Sequence, residues 1–144
     1  MCIIVDANVV GTVLLDTNEA VFAPIRKRLF GSHPVKLVYG GQLREEYERI
    51  SAVMRQLHVL DQAGRTLRIS DGQVDDETER IRKLNICGSN DEHIIALARV
   101  SRVRLLVSAD GNLRQDFKKR ELVDEPRGKL YTHASHARLL KECP

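Results

Sequence analysis

Apolar residues fall along this chain in two rhythms, short unbroken runs and longer stretches that step by three or four, and the two alternate. Cys2-Ile3-Ile4-Val5 opens the chain as an unbroken, mostly β-branched run, the pattern of a strand covered on both faces of a parallel sheet. It stops at Asp6. Two helical pieces are expected next, over Val9 to Leu15 and Glu19 to Phe30, the second ending in the basic run Arg26-Lys27-Arg28 that suits a helix C-terminus. Gly31-Ser32-His33-Pro34 reads as a turn, Val35 to Tyr39 as a second strand, and Gln42 to Leu60 as one long helix with its apolar stripe at Leu43, Tyr47, Ile50, Met54 and Leu57.

The segment Asp61 to Gln73 reads as loop with a possible short strand around Leu67 and Ile69, and Asp75 to Leu84 as a further helix. A helix over Ser89 to Val103 carries an opening signal, because Ser89 and Glu92 stand in the S-x-x-E relation of a capping box. Leu105 to Ser108 is the next buried strand, with Asp110 just past its end. Asn112 to Lys119 is expected to be helical, Glu125 to Gly128 a turn, Lys129 to Thr132 a short strand and His133 to Lys141 a terminal helix. Strands alternating with helices predict one α/β domain over residues 1–144, a three-layer α/β/α arrangement around a central parallel sheet of four to five strands.

In open parallel sheets the functional crevice lies at the carboxyl ends of the strands. Asp6 and Asp110 each follow a strand at that edge. Asp91 opens its helix and shares a face with Ile94, Ile95 and Ala98, which puts it on the core-facing stripe near its mouth. Glu46 lies three residues after Leu43 and four before Ile50, again on the apolar stripe, whereas Glu45 and Glu48 fall off it. Taken singly, each acid has an ordinary explanation as a helix-end charge, a turn former or a solvated side chain. Together they would repel: two unit charges ~4 Å apart cost ~4 kcal/mol at an effective dielectric of about 20, so a gathered cluster needs a counter-ion. Oxygen ligands without Cys or His partners select a hard cation, Mg²⁺ or Mn²⁺, whose common use beside a phosphodiester is to promote attack by water. One ion or two would serve.

Composition restrains this picture only lightly. The 144 residues suffice for one core, and charged residues of both signs leave a net charge of +3, which permits a nucleic-acid partner without demanding one. Cys2, Cys87 and Cys143 are far apart and form no C-x-x-C or C-x-x-H pair, so neither zinc nor a redox pair is expected and a reducing, cytoplasmic setting is the natural expectation. No stretch approaches the ~20 apolar residues of a membrane span, and no leader pattern precedes the first strand.

In order and spacing, four segments resemble the PIN domain, a nuclease family that includes the VapC-type toxins of toxin-antitoxin pairs. Ile3-Ile4-Val5-Asp6-Ala7-Asn8-Val9-Val10 is similar to the family's opening strand with its first metal-binding Asp and following Asn. Leu43-Arg44-Glu45-Glu46-Tyr47 resembles the helix carrying the second acid, Asn90-Asp91 through Ala98 the helix carrying the third, and Leu106-Val107-Ser108-Ala109-Asp110 through Asp116-Phe117 the strand and loop carrying the fourth. The resemblance implies Mg²⁺- or Mn²⁺-dependent hydrolysis of RNA, with Asp6, Glu46, Asp91 and Asp110 catalytic. It leaves Glu45 as a substitute for Glu46, and makes Asp116 an extra ligand, although Asp116 equally suits a cap or the solvent.

Around those acids, Asn8, Ser108 and Asn112 are candidates to hold phosphate or metal, and Arg114 and Lys118 to bind substrate; Arg44, Arg99, Arg102, Arg104, Lys119 and Arg120 are further cations, for most of which a solvated face or a helix end is the simpler reading. Aromatic residues are too few for a base-stacking platform. His133 and His136 have helical spacing but no third ligand, and His93 points away from the face of Asp91. The resemblance further implies an antitoxin partner that occludes the acids and a homodimer. Its alternatives are a PIN nuclease of RNA processing or phage defence without an antitoxin, and an inactive PIN-like binding module.

Overall fold

The computed structural model describes residues 2–32 and 35–140. Within them, strands β1 (Cys2–Val5), β2 (Lys36–Gly40), β3 (Thr66–Ile69), β4 (Leu105–Val107) and β5 (Lys129–Leu130) form one sheet in the order β3-β2-β1-β4-β5, every neighbouring pair parallel. Helices α1 (Ala7–Leu15), α2 (Ala23–Phe30), α3 (Gln42–Glu48), α4 (Ser51–Gln62), α5 (Asp71–Leu84), α6 (Glu92–Ser101) and α7 (Gly111–Phe117) make the crossovers, and a short 3-10 helix covers Ala134–Leu139. This is the three-layer α/β/α fold expected from the alternation of elements. Among the described residues no helix is long and apolar enough to cross a membrane.

The central strands are apolar because helices cover both faces: Cys2, Ile3, Ile4, Val5, Leu105, Leu106 and Val107 are all buried. The chain adds β2 and β3 on one side of β1, then returns to place β4 on the other side. Such a reversal of strand order opens a crevice beyond the carboxyl ends of the two strands that flank it. Here those strands are β1 and β4, and the residues that follow them are Asp6 and, past Ser108 and Ala109, Asp110.

Several boundaries depart from the sequence expectation. The single helix expected over Gln42 to Leu60 is two, broken at Arg49 and Ile50, where Ile50 is extended (φ −114°, ψ 97°). The apolar stripe that seemed continuous changes phase at the break: α4 buries Val53, Leu57 and Leu60, while Ile50 is exposed. Residues 19–22 stay outside α2, the possible strand near Leu67 is β3, and α5 begins at Asp71. The Ser89–Glu92 capping box does not form, since α6 starts after Asp91 and no side chain caps it. The terminal helix is of 3-10 type, and His33, Pro34 and Lys141, in the expected turn and terminal helix, lie outside the described residues. Cys2 is disulfide-bonded and Cys87 is a free thiol, which the spacing of the cysteines gave no reason to expect.

The start of α3 is tightly fixed. Gly41 adopts φ +58°, and a Cβ there would come within 2.7 Å of Val74 Cγ1 on α5; its N–H donates to Asp71 Oδ1 at 2.8 Å. Further along α3, the buried Tyr47 hydroxyl donates to the Val5 carbonyl at the end of β1. These two anchors orient the helix that carries Glu46. Gly41→Ala should therefore cost about 2 kcal/mol, combining a left-handed backbone with a clash. Urea unfolding checks this, and an unchanged midpoint would contradict the anchoring role.

Candidate active site

Asp6 is 4% exposed and stands at the point where β1 turns into α1, its carbonyl accepting from Val9 and Val10 as the helix begins. Its side chain caps nothing. Instead Oδ2 accepts a 2.7 Å hydrogen bond from Ser108 Oγ at the end of β4, and Ser108 Oγ in turn accepts from the Asp110 N–H at 3.0 Å. Ser108 thus ties the acid after β1 to the acid after β4. Asp110 uses Oδ1 to cap α7, accepting from Asn112 N at 2.9 Å and Leu113 N at 3.3 Å. The turn-forming role weighed for this Asp is real, and it engages one of its two oxygens.

Asp91 approaches from the start of α6. Its N–H donates to Ser89 Oγ at 3.3 Å, and its carboxyl lies within hydrogen-bonding reach of Asp110. Burial, the neighbouring Asp6 charge and Asp110 together push its pKa from 3.8 up to about 6, against a smaller opposing effect of His93. Asp6 is also raised, first by burial and then by Glu46, although the Ser108 hydrogen bond, His93 and the Ala7 N–H work against this. Glu46 is half-buried and Glu45 is exposed, so Glu46 is the acid of α3 whose charge reaches Asp6. Four acids from four segments therefore share one electric field at the sheet edge.

His93 belongs to this group, contrary to the expectation that it points away. It is 2% exposed, with Nε2 2.7 Å from Glu46 Oε1. The approach is off the line of the ring N–H, so Nε2 has no aligned hydrogen bond. At that range the imidazole is still the largest influence on Glu46, holding its carboxyl below the usual value against the opposing effect of burial. Helical phase missed His93 because every residue of α6 from His93 to Ala98 is buried. A position that avoids one covered face enters another.

Asp116 is placed differently from the other candidate ligands. It is fully buried, Oδ1 accepting from Gly88 N at 2.8 Å and Lys119 Nζ at 3.1 Å, Oδ2 from Ser89 N at 2.9 Å and Ser89 Oγ at 2.6 Å. Both oxygens are occupied. Those hydrogen bonds hold its carboxyl below the ordinary range despite burial. Its role is to fix the Gly88-Ser89 turn, and through Ser89 the N–H of Asp91; the expectation of a further metal ligand gives way to that of a positioning residue.

Of the candidate substrate groups, Asn8 is exposed beside Asp6 and its Oδ1 lies 3.4 Å from Ala109 N, while Asn112 is exposed on the first turn of α7. Arg114 reaches back to the same edge, donating from Nε to the Ser108 carbonyl at 2.6 Å. Lys118 is at the opposite end of α7, next to Gly128 and Lys129, and does not face the acids. Arg44 is occupied by Glu48 and Asp71, the latter at 2.9 Å.

All the acids offer hard oxygen donors, and their mutual destabilisation matches what a divalent cation relieves. Among the described residues, however, no three His, Cys, Asp or Glu side chains are gathered closely enough to hold a metal ion. The donor chemistry fits Mg²⁺ or Mn²⁺, with the carboxylates assembled as neighbours rather than as a closed shell. No family model matches the chain, and no curated protein is significantly similar to it.

A raised carboxyl pKa favours folding below the unfolded value and loses that contribution as pH rises through the folded one. For Asp91 the window runs from about 4 to above 6. Melting curves of metal-free protein should show stability falling between about pH 4 and 6.5, a slope that Asp91→Asn flattens; an equal slope in the variant would contradict the placement of Asp91. Asp116→Ala should cost about 3 kcal/mol, because it strands buried N–H donors at Gly88 and Ser89. Chemical denaturation measures it, and a loss under 1 kcal/mol would argue against the positioning role.

Proposed function

We propose that this chain is a Mg²⁺- or Mn²⁺-dependent endoribonuclease, working through Asp6, Glu46, Asp91 and Asp110. The observation that carries the proposal is the gathering of Asp6, Asp91 and Asp110 at the switch point of a parallel sheet, where Ser108 ties Asp6 to the Asp110 backbone and the crowding pushes the Asp91 carboxyl up to about 6. Such crowding lowers stability without a counter-charge, and a crevice at this position is where α/β folds bind ligands.

Asp6, Asp91 and Asp110 would hold the cation by closing around it from their present positions as neighbours, Asp110 through the oxygen that α7 leaves unused. When bound, the ion supplies a Lewis acid that screens the phosphate from the carboxylates and makes water more acidic. Ser108 fixes the rotamer of Asp6, and Asp116 fixes the turn that delivers Asp91. Glu46, kept ionised by His93, supplies an oxygen that accepts a proton from the attacking water. Arg114 has guanidinium N–H groups left over after its bond to Ser108, and with the exposed amides of Asn8 and Asn112 it would seat the phosphate. The order of segments resembling the PIN domain supports RNA as the substrate class. An inhibitory partner such as an antitoxin would have to bring its own cation, an arginine for instance, to the same edge.

Labelled single-stranded RNA should be cut by the wild type with Mn²⁺ or Mg²⁺ and spared after chelation. Asp6→Asn and Asp91→Asn should each lower the rate at least about a hundredfold while remaining folded. Glu46→Gln should do the same, and Glu45→Gln should stay near wild type. Equal activity in all four variants would refute the assignment, and a folded wild type inert on RNA with either metal would favour a binding module instead.

A further inference from the structure

The opposite edge of the sheet carries charge of the other sign. Beyond the C-terminus of α6 a cavity of about 460 Å³ is lined by Arg99, Arg102, Arg104 and Arg120. This volume falls within the ~300–1,000 Å³ of ordinary small-ligand sites. An adjoining cavity of about 330 Å³ shares Arg102 and Arg104 and adds Arg127 and Lys129. With ten residues in α6 and a rise of ~1.5 Å each, Arg102 at its C-terminal end lies ~15 Å along the helix from Asp91, so the cavity it lines does not belong to the acidic site.

A helix C-terminus attracts cations for its own sake, and here that need is met by one of them. Arg104 donates to the Ala98 carbonyl at the end of α6, to Pro126 O at 2.9 Å and to Asp124 O at 3.2 Å. Arg99 is paired through Nε with Glu77 at 2.9 Å, which leaves its NH1 buried with no partner. Arg102 and Arg120 are exposed and form no hydrogen bond or ion pair with any described residue. Glu121, Asp124 and Glu125 also border the cavity, yet none makes an ion pair with these guanidinium groups. Each guanidinium is a planar fork of N–H donors suited to phosphate oxygens, and here two of them stand together with all their donors to spare.

We propose that this cavity binds a phosphate group, with Arg102 and Arg120 as its principal donors. The shared chemistry is that of phosphate, whether carried by a small phosphate compound or by the backbone of a nucleic acid. The proposal is independent of the nuclease assignment.

The test is calorimetric titration of the full chain with pyrophosphate, alongside fluorescence titration with single-stranded RNA in chelator. The proteins compared are the wild type, Asp6→Asn and the double variant Arg102→Gln/Arg120→Gln. Both arginines are exposed and tied to nothing, so the double variant should fold, which circular dichroism verifies. Pyrophosphate should bind the wild type and Asp6→Asn alike, and the double variant at least about tenfold more weakly. A parallel loss of RNA affinity identifies the nucleic-acid backbone as the source of the phosphate, and unchanged RNA affinity identifies a small phosphate compound. No pyrophosphate binding to wild type, or undiminished binding to the double variant, would overturn the proposal.

Discussion

Carboxylates that are partly buried and near one another cannot all stay charged without a compensating charge, and the carboxyl edge of this sheet is organised around that conflict. Asp6 is raised by burial and by Glu46, and Asp91 by burial and by Asp6 and Asp110. Glu46 escapes because His93 is beside it. The rest of the local structure holds the acids in place against their repulsion: Ser108 bridges β1 to β4, the first turn of α7 engages Asp110, and Asp116 secures the turn before Asp91. Isolated buried charges would simply be replaced by apolar groups at a gain in stability. Several of them, each held by its own support, point to a use.

The two ends of α6 give the molecule a polarity that its net charge of +3 conceals. Acids gather where the helix begins and arginines where it ends. The helix dipole opposes neither arrangement, since its positive end faces Asp91 and its negative end faces Arg102 and Arg104. One helix, buried from His93 to Ala98, thus separates a surface rich in carboxylates from one rich in guanidinium groups.

Much of this was legible in the residues. The unbroken runs at β1 and β4 predict covered parallel strands, and the acids that end them follow from the same reading. Glu46 was separable from Glu45 because α3 is regular from Gln42 to Glu48 and helical phase holds within it. Where phase was carried past an irregular residue it misled. The stripe through Ile50 crosses an extended residue, and Asp91 itself is outside α6 (φ −106°, ψ 42°), so its direction is set by the Ser89 turn rather than by 100° steps. Asp116 sits at a spacing that suits a ligand, but only the fold reveals that Gly88 and Ser89 consume it. His93 and the arginine cavity arise from tertiary contacts between segments far apart in sequence, which no local pattern encodes.

The account stands most directly on the ionisation of Asp91. Carboxyl-carbon NMR titration of the metal-free protein, with Asp91 assigned by its Asn variant, should give a pKa near 6, shifted downward in Asp6→Asn and again when Mg²⁺ is added to the wild type. A value near 3.8, unaffected by Asp6→Asn and by Mg²⁺, would contradict a shared acidic site.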